Sequence, residues 1–259
     1  MQMSKLVFIT GAAGGIGRAT ARRFASAGWQ VAVSDVHPQG LEALRKELGK
    51  NLAASLVVDV SDAAAVDAAL KSIARGNHGR LDLLVNNAGI AHVDSFEQMP
   101  LHRHHTLEAV NIRGVLNCTY LAYPYLKAAA GQVVNLCSVS AIYGTPGMAA
   151  YSASKYWIRG FTEALNLEWE SHGIHVCDVM PALVRTQMTA GVAGKLIESF
   201  GVHLAPEDVA REIFDVVRQR REVHRIVAKT LASRMQFRIL NLLPPSLKHV
   251  AVKYYAVKA

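Results

Sequence analysis

Tyr151 and Lys155 stand four residues apart, a spacing that places both side chains on one face of a helix predicted from about Ala150, one turn from each other. A phenol, with an ordinary pKa of about 10, is a poor base near neutrality, but a neighbouring ammonium favours its phenolate. Such a pair can exchange a proton with a substrate hydroxyl. Ser138 precedes Tyr151 and closes the apolar run VVNLCS, which reads as a strand. An open parallel sheet presents its ligands at that end of a strand. With no activating His nearby in sequence, Ser138 is better suited to donating a hydrogen bond to a substrate oxygen than to nucleophilic attack.

A second group of residues points to a dinucleotide. The segment Thr10-Gly11-Ala12-Ala13-Gly14-Gly15-Ile16-Gly17 joins a short apolar run to a helical pattern, so its backbone N–H groups and the helix N-terminus can approach a pyrophosphate. Alone, the loop could be an ordinary tight turn, and an acid at a strand end could be an ordinary turn residue. Asp35, however, closes the next strand at about the distance expected of the acid that binds the adenosine ribose hydroxyls. Its carboxylate would repel a 2′-phosphate, so NAD(H) is expected over NADP(H). His37 and Arg18 are the nearby basic residues that would favour the alternative. Lys155, with three donors on a flexible stem, can also hold the nicotinamide ribose, and the positive nicotinamide of NAD⁺ would add to the pull on the Tyr151 phenol. The chemistry these residues fit is hydride transfer between the cofactor and a carbinol carbon, with Tyr151 exchanging the proton and Ser138 steadying the oxyanion.

The elements that must position these groups are legible as an alternation of β-rich apolar runs with longer stretches of helical period. Strands are predicted at Leu6–Thr10, Gln30–Asp35, Ala53–Val58, Leu81–Asn86, Gln132–Ser138, His175–Met180 and Val223–Val227. The first helix is predicted to start near Gly15 and to end before Gly28. The expected architecture is α/β, a doubly wound, Rossmann-like parallel sheet of about seven strands with helices on both faces. Residues 1–228 form one dinucleotide-binding and catalytic domain in this reading, and residues 229–259 a basic amphipathic helical tail broken at Pro244-Pro245.

With these pieces in place the sequence resembles the short-chain dehydrogenase/reductases. The match rests on TGAAGGIG at 10–17, Asp59-Val60, Asn86-Asn87-Ala88-Gly89, Asn111, Ser138 and Tyr151-Ser152-Ala153-Ser154-Lys155, in the family's order. The resemblance implies that Gly11, Gly15, Ile16, Gly17 and Asp35 bind the dinucleotide, and that Asp59 and Val60 flank its adenine. It further implies that Asn87, Ala88 and Gly89 line the cofactor, and that Asn111, Ser138, Tyr151 and Lys155 are catalytic. Asn111 would hold a water linking Lys155 to solvent; its plainer role is a backbone-bonded residue in a helix kink. After the sixth strand the family has a Pro-Gly pair followed by a Thr, whereas this chain reads Pro181-Ala182-Leu183-Val184-Arg185-Thr186. Pro181, Val184 and Thr186 are carried over as carboxamide contacts, with the Ala182 methyl expected to crowd that wall. The resemblance also implies a homodimer or homotetramer built on the long helices around Asn111 and Tyr151.

Composition narrows the alternatives. No secretory signal or membrane-spanning run is evident, and the three cysteines, 118, 137 and 177, form neither a CxxC pair nor a disulfide framework, so a cytoplasmic protein is expected. The His102-Arg103-His104-His105 run lacks metal-ligand spacing and reads as a solvated helix face, and His92 as a loop residue in water; no metal is expected. The net charge is +8, and the stretch Val223–Ala259 carries seven basic residues and no acid, leaving 21 basic against 20 acidic residues before it. Nucleic-acid binding is therefore disfavoured, since the body is almost neutral and the tail has no reading motif. Within the tail, Leu231, Met235, Ile239 and Leu242, and after the prolines Leu247, Val250, Ala251 and Tyr254, recur at helical spacing beside Arg234, Arg238, Lys248 and Lys253. These stripes either pack on the domain or another subunit, or make peripheral contact with an anionic membrane. A lipophilic secondary alcohol or ketone of steroid, retinoid or fatty type is the expected substrate, from the small apolar residues between Leu183 and Leu204, which equally suit an ordinary packed helix. The rival function is a non-catalytic dinucleotide sensor or scaffold, which the intact Ser138, Tyr151 and Lys155 oppose.

Overall fold

The computed structural model describes residues 4–186 and 204–257. Seven strands form one parallel sheet: β1 (Leu6–Thr10), β2 (Gln30–Asp35), β3 (Leu52–Val57), β4 (Leu83–Asn86), β5 (Gln132–Leu136), β6 (His175–Pro181) and β7 (His224–Val227). Their spatial order is β3-β2-β1-β4-β5-β6-β7, with every neighbouring pair parallel. The chain moves outward in one direction from β1 to β3 and in the other from β4 to β7. The crevice where the order reverses lies between β1 and β4, at their C-terminal ends.

Side chains alternate strictly between the two faces of the sheet, as strand geometry requires. Val7, Ile9, Val31, Val33, Leu83 and Val85 form one core with Phe24 of α1 (Gly15–Ser26), Leu41 and Leu44 of α2 (Pro38–Leu48), and Ile213 and Phe214 of a helix over Pro206–Gln219. Leu6, Phe8, Ala32 and Leu84 face the other way. They meet Val66, Leu70 and Ile73 of α3 (Ala63–Arg75), Cys118, Ala122 and Leu126 of α5 (Gly114–Ala129), and Leu165 of α6 (Ala149–Glu168). Burial on both faces explains why the strands read as continuous apolar runs. Helix α4 (Leu101–Glu108) runs into α5 through a wide π-turn at Ala109–Arg113, which contains Asn111. The helix Pro206–Gln219 is α7; it begins with Pro206, and Asp208 accepts the backbone N–H of Ala205 at 3.0 Å.

The expected strands are all present, with shifts at their ends. β5 stops at Leu136 rather than Ser138, because Ser138 is the extended cap of a single 3-10 turn, Val139–Ala141, that carries the chain out of the sheet. β4 begins at Leu83, not Leu81; Asp82 instead accepts the backbone N–H of Leu6 at 2.9 Å. The tail forms α8 (Leu231–Leu242) and α9 (Pro245–Val257), separated at the predicted proline break. Phe237, Leu240 and Val252 of this pair pack on a third core cluster that includes Val139, Ile142, Tyr143, Ile158 and Met180. Arg159 of α6 donates to Asn241 at 2.8 Å, and Arg234 pairs with Glu212 of α7. Of the stripe residues, Leu231 and Leu242 are 78% and 83% exposed, and Met235, Ile239, Leu247 and Val250 are also exposed. The two helices thus dock through a different face from the one the sequence singles out. Met188, Ala190, Val192, Ala193, Leu196, Ile197 and Phe200, together with Lys258 and the Tyr254 side chain, lie outside the described residues.

Candidate active site

The loop after β1 is built around glycine in two distinct ways. Gly11 adopts φ +63°, and a Cβ there would stand 2.7 Å from the Ala88 Cα; a Cβ on Gly17 would meet the Gly11 carbonyl at 2.3 Å and the Asn87 side-chain nitrogen at 2.5 Å. These glycines let the loop, the α1 start and the β4 exit close on one another. Gly14, by contrast, has nothing within 4 Å of its would-be Cβ and faces a cavity of about 500 Å³, along with Gly15 and Ile16. A side chain at Gly14 would fill this space. An exposed backbone cradle at a helix N-terminus therefore fits a dinucleotide pyrophosphate.

The acid and amide side chains around the cradle brace it from below. Asp35 accepts the Ala13 N–H at 2.8 Å through one oxygen, and the His37 N–H and His37 Nδ1 at 3.0 and 2.8 Å through the other. Asn87 donates to the carbonyls of Thr10 and Gly11 at 2.9 and 2.8 Å. Asp59 accepts from the Ser61 N–H and hydroxyl at 2.9 and 2.8 Å, shaping the turn after β3. Arg18 does not line the cavity and pairs with Glu47, whose carboxyl is pulled down to about 2, first by its hydrogen bond to Arg22 and then by that to Arg18; His37 does line it, bonded to Asp35.

At the other end of the same cavity are Ser138, Tyr151 and Lys155. A buried ladder of amides and hydroxyls fixes α6, which carries the last two, to the sheet. In it Asn86 donates to Thr119 of α5 at 2.9 Å and to Asn135 of β5 at 2.8 Å, and Asn135 donates to Thr162 of α6 at 2.9 Å. Each of these bonds satisfies a group that would be costly to bury alone. Lys155 is buried, donates to the Leu136 carbonyl at 2.8 Å, and lies 5.4 Å from the centre of the Tyr151 ring. Burial lowers its pKa. Burial also pushes the Tyr151 phenol up to about 12, against a hydrogen bond to Ser138 that lowers it. The expectation that the ammonium sets the phenol's pKa is thus modified: in the protein alone burial outweighs its neighbours.

Asn111 is fully buried beneath the cavity rather than lining it. Its side chain grips the β4 exit loop, accepting the Ile90 N–H at 2.8 Å and donating to the Ile90 carbonyl at 2.9 Å, with a third bond to Ser154 at 3.2 Å. Both amide N–H groups of Asn111 are thus engaged within the protein. Gly11, Gly15, Ile16, Asp35, Asp59, Val60, Asn87, Ala88, Gly89, Pro181, Val184 and Thr186 all line the cavity, and so does Ala182. Gly17 does not. Sequence reasoning missed Gly14, Val36, Val58 and Ile90, which line the same cavity, as well as the Ser140, Tyr143 and Thr145 wall beyond Ser138. Gly14 was the most accessible of these, since it sits inside the glycine motif itself. His104 stacks on Phe96 at 4.6 Å, while His102, Arg103 and His105 are exposed on α4.

Comparison with known proteins agrees with this geometry. The short chain dehydrogenase family model matches residues 5–196. A meso-2,3-butanediol dehydrogenase from Serratia marcescens is 34% identical over 213 residues, which cover 80% of this chain and 84% of that protein. A D-threitol dehydrogenase from Mycolicibacterium smegmatis is 36% identical over 187 residues, covering 71% and 72% respectively. Among solved structures, the 3-ketoacyl-(acyl-carrier-protein) reductase from Brucella melitensis, complexed with NADH, superposes with a TM-score of 0.81 at 29% identity, covering 88% of this chain and 98% of that one. Fold, cavity and sequence relationships lead to one assignment: the chain is an oxidoreductase and belongs to the short-chain dehydrogenase family.

Proposed function

We propose that the protein transfers a hydride between NAD(H) and a secondary alcohol or ketone, with Tyr151 as the acid/base. The observation that carries this reading is that Ser138, Tyr151 and Lys155 share one cavity with an open glycine cradle. The dinucleotide supplies the hydride donor or acceptor, and the cradle, Asp35 and Lys155 would hold it. The chain's own groups do the rest. Ser138 presents its hydroxyl to the substrate oxygen, and Tyr151 takes the hydroxyl proton in oxidation and returns it in reduction. Lys155 stands behind the phenol with a charge that favours the phenolate. Asn111 acts from below by fixing Ile90 and α6. NAD(H) is favoured because Asp35 places a carboxylate at the cavity while Arg18 is tied to Glu47. Val93, Val110, Met148 and Leu183 give the substrate end an apolar lining, which suits a lipophilic alcohol. The test is NADH or NADPH absorbance with a panel of steroid, retinoid, fatty and small secondary alcohols. The expected result is turnover with at least one of them and a higher kcat/KM with the non-phosphorylated cofactor. Higher kcat/KM with NADPH would overturn the cofactor assignment, and no turnover on any alcohol or matching ketone would favour the sensor or scaffold alternative.

Two further attributes belong to the same proposal. The protein forms a homodimer or homotetramer through α5 and α6, where Leu116, Tyr120, Tyr156 and Leu167 are large and exposed. Its α8 face contacts an anionic membrane. Leu231, Met235, Ile239 and Leu242 form an exposed apolar stripe on that helix, and Arg238 projects beside it. Arg225, Lys229 and Arg234 are matched by acids of the domain, but Arg238, Lys248 and Lys253 have no ion-pair partner among the described residues. Apolar area together with unneutralised cations complements a negatively charged lipid surface.

A further inference from the structure

Beyond the reacting groups, one wall of the cavity holds a second phenol. Tyr143 lies between the turn Val139–Ala141 and α6, lines the cavity, and is only 8% exposed. Its ring belongs to the core cluster with Val139, Ile142 and Met180. Its hydroxyl makes no hydrogen bond to any group among the described residues. A phenol hydroxyl both donates and accepts, and this one opens on the cavity with both capacities unused. Burial holds it in the neutral, proton-bearing form, with a pKa up to about 12. The hydroxyls on either side of it are already engaged with each other: Ser138 donates to Ser140 at 3.3 Å, and Ser140 and Thr145 are 3.3 Å apart. Of the four hydroxyls on this wall, Tyr143 is thus the one with no hydrogen-bond partner among the described residues.

We propose that Tyr143 is a specificity-determining residue that hydrogen-bonds a second oxygen of the substrate, so that the preferred substrates are diols, hydroxyketones or other compounds with an oxygen function apart from the reacting carbinol. This rests on the redox reading above and specifies its substrate class. The apolar part of the lining is compatible with it, because the carbon chain between and beyond the two oxygens can lie against Val93, Val110, Met148 and Leu183. A site that bonds a substrate hydroxyl discriminates strongly against the analogue lacking it, whereas an apolar pocket discriminates weakly.

The experiment compares one aliphatic secondary alcohol with the diols of the same length that carry an added hydroxyl one, two or three carbons from the carbinol, using wild type and Tyr143→Phe. Phe keeps the ring and its packing, and matching thermal melting curves confirm that the fold is kept. Wild type is expected to prefer at least one diol over the mono-alcohol by about tenfold or more in kcat/KM. Tyr143→Phe should lose most of that preference, chiefly through a raised KM for the diol, while its mono-alcohol turnover stays within about twofold of wild type. If the variant keeps the preference, or loses diol and mono-alcohol turnover alike, the proposal is overturned and the phenol is a structural or water-bonded group. Mono-alcohol turnover by wild type reports on the redox reading by itself, so its absence strikes that reading, whereas an unchanged diol-to-mono-alcohol ratio strikes the role of Tyr143.

Discussion

At the scale of single residues, the protein sets itself an electrostatic problem at Tyr151. The phenol is pushed up to about 12 by burial, so near neutrality the protein alone holds it in the proton-bearing form. The countervailing influence is the neighbouring Ser138 hydroxyl, and the Lys155 amine lies 5.4 Å from the ring centre. A cation favours the charged phenolate, so removing it raises the phenol's pKa further. Lys155→Ala should therefore move the rising limb of the pH profile for alcohol oxidation to higher pH and cut kcat by about a hundredfold or more. It should also weaken cofactor affinity, measured by fluorescence titration, because in the proposed reading the same ammonium would hold the ribose. A loss confined to turnover at unchanged NAD affinity would contradict the dual role. Much of this was legible from the four-residue spacing of Tyr151 and Lys155, which fixes a common helix face whatever the tertiary structure. The place of Tyr143 was not, because it depends on what neighbouring segments leave open: a cavity beside it and no hydrogen-bond partner for its hydroxyl.

At the scale of elements, the sheet does the positioning and the loops are pinned to it by side chains rather than by their own stiffness. Asn87 ties the β4 exit to the glycine loop, Asp35 ties β2 to the same loop through Ala13, and Asn111 ties Ile90 to α6. The order of strands and helices was readable because period-two and period-3.6 patterns are local properties of the chain. Strand ends were less readable. The run VVNLCS stays apolar past the point where pairing stops, since Cys137 is buried beside the sheet while Ser138 turns to cap the next segment. For the same reason the sequence could single out Asp35 and Asn87, which both line the cavity, but not their bracing bonds: those join segments tens of residues apart.

At the scale of the whole molecule, the tail is the part least explained by the catalytic domain. A buried face of α8 and α9 covers the cluster behind the catalytic wall, so deleting the tail would uncover Ile158 and Met180 and confuse folding with binding. The sequence-level stripe located an apolar face but could not say which face docks; Phe237 and Leu240 do, and Leu231 and Leu242 do not. Point substitution is the cleaner probe. The triple variant Leu231→Gln, Met235→Gln, Leu242→Gln should remain active on a soluble alcohol and keep the wild-type oligomeric mass by light scattering. It should also stop sedimenting with vesicles rich in phosphatidylserine, and wild-type sedimentation should weaken as salt rises. A fall in oligomeric mass would instead assign the stripe to a subunit contact. Wild type that fails to sediment at low salt would end the membrane proposal.

The central claim is that Tyr151 moves the proton while the rest of the cavity holds cofactor and substrate. Tyr151→Phe tests it most directly, by steady-state turnover and NADH binding measured on the same preparation. A loss of about a hundredfold to ten-thousandfold in kcat is expected, with NADH affinity within about threefold of wild type, because the ring and its packing persist while the exchangeable proton is gone. Turnover by Tyr151→Phe equal to that of wild type would contradict it.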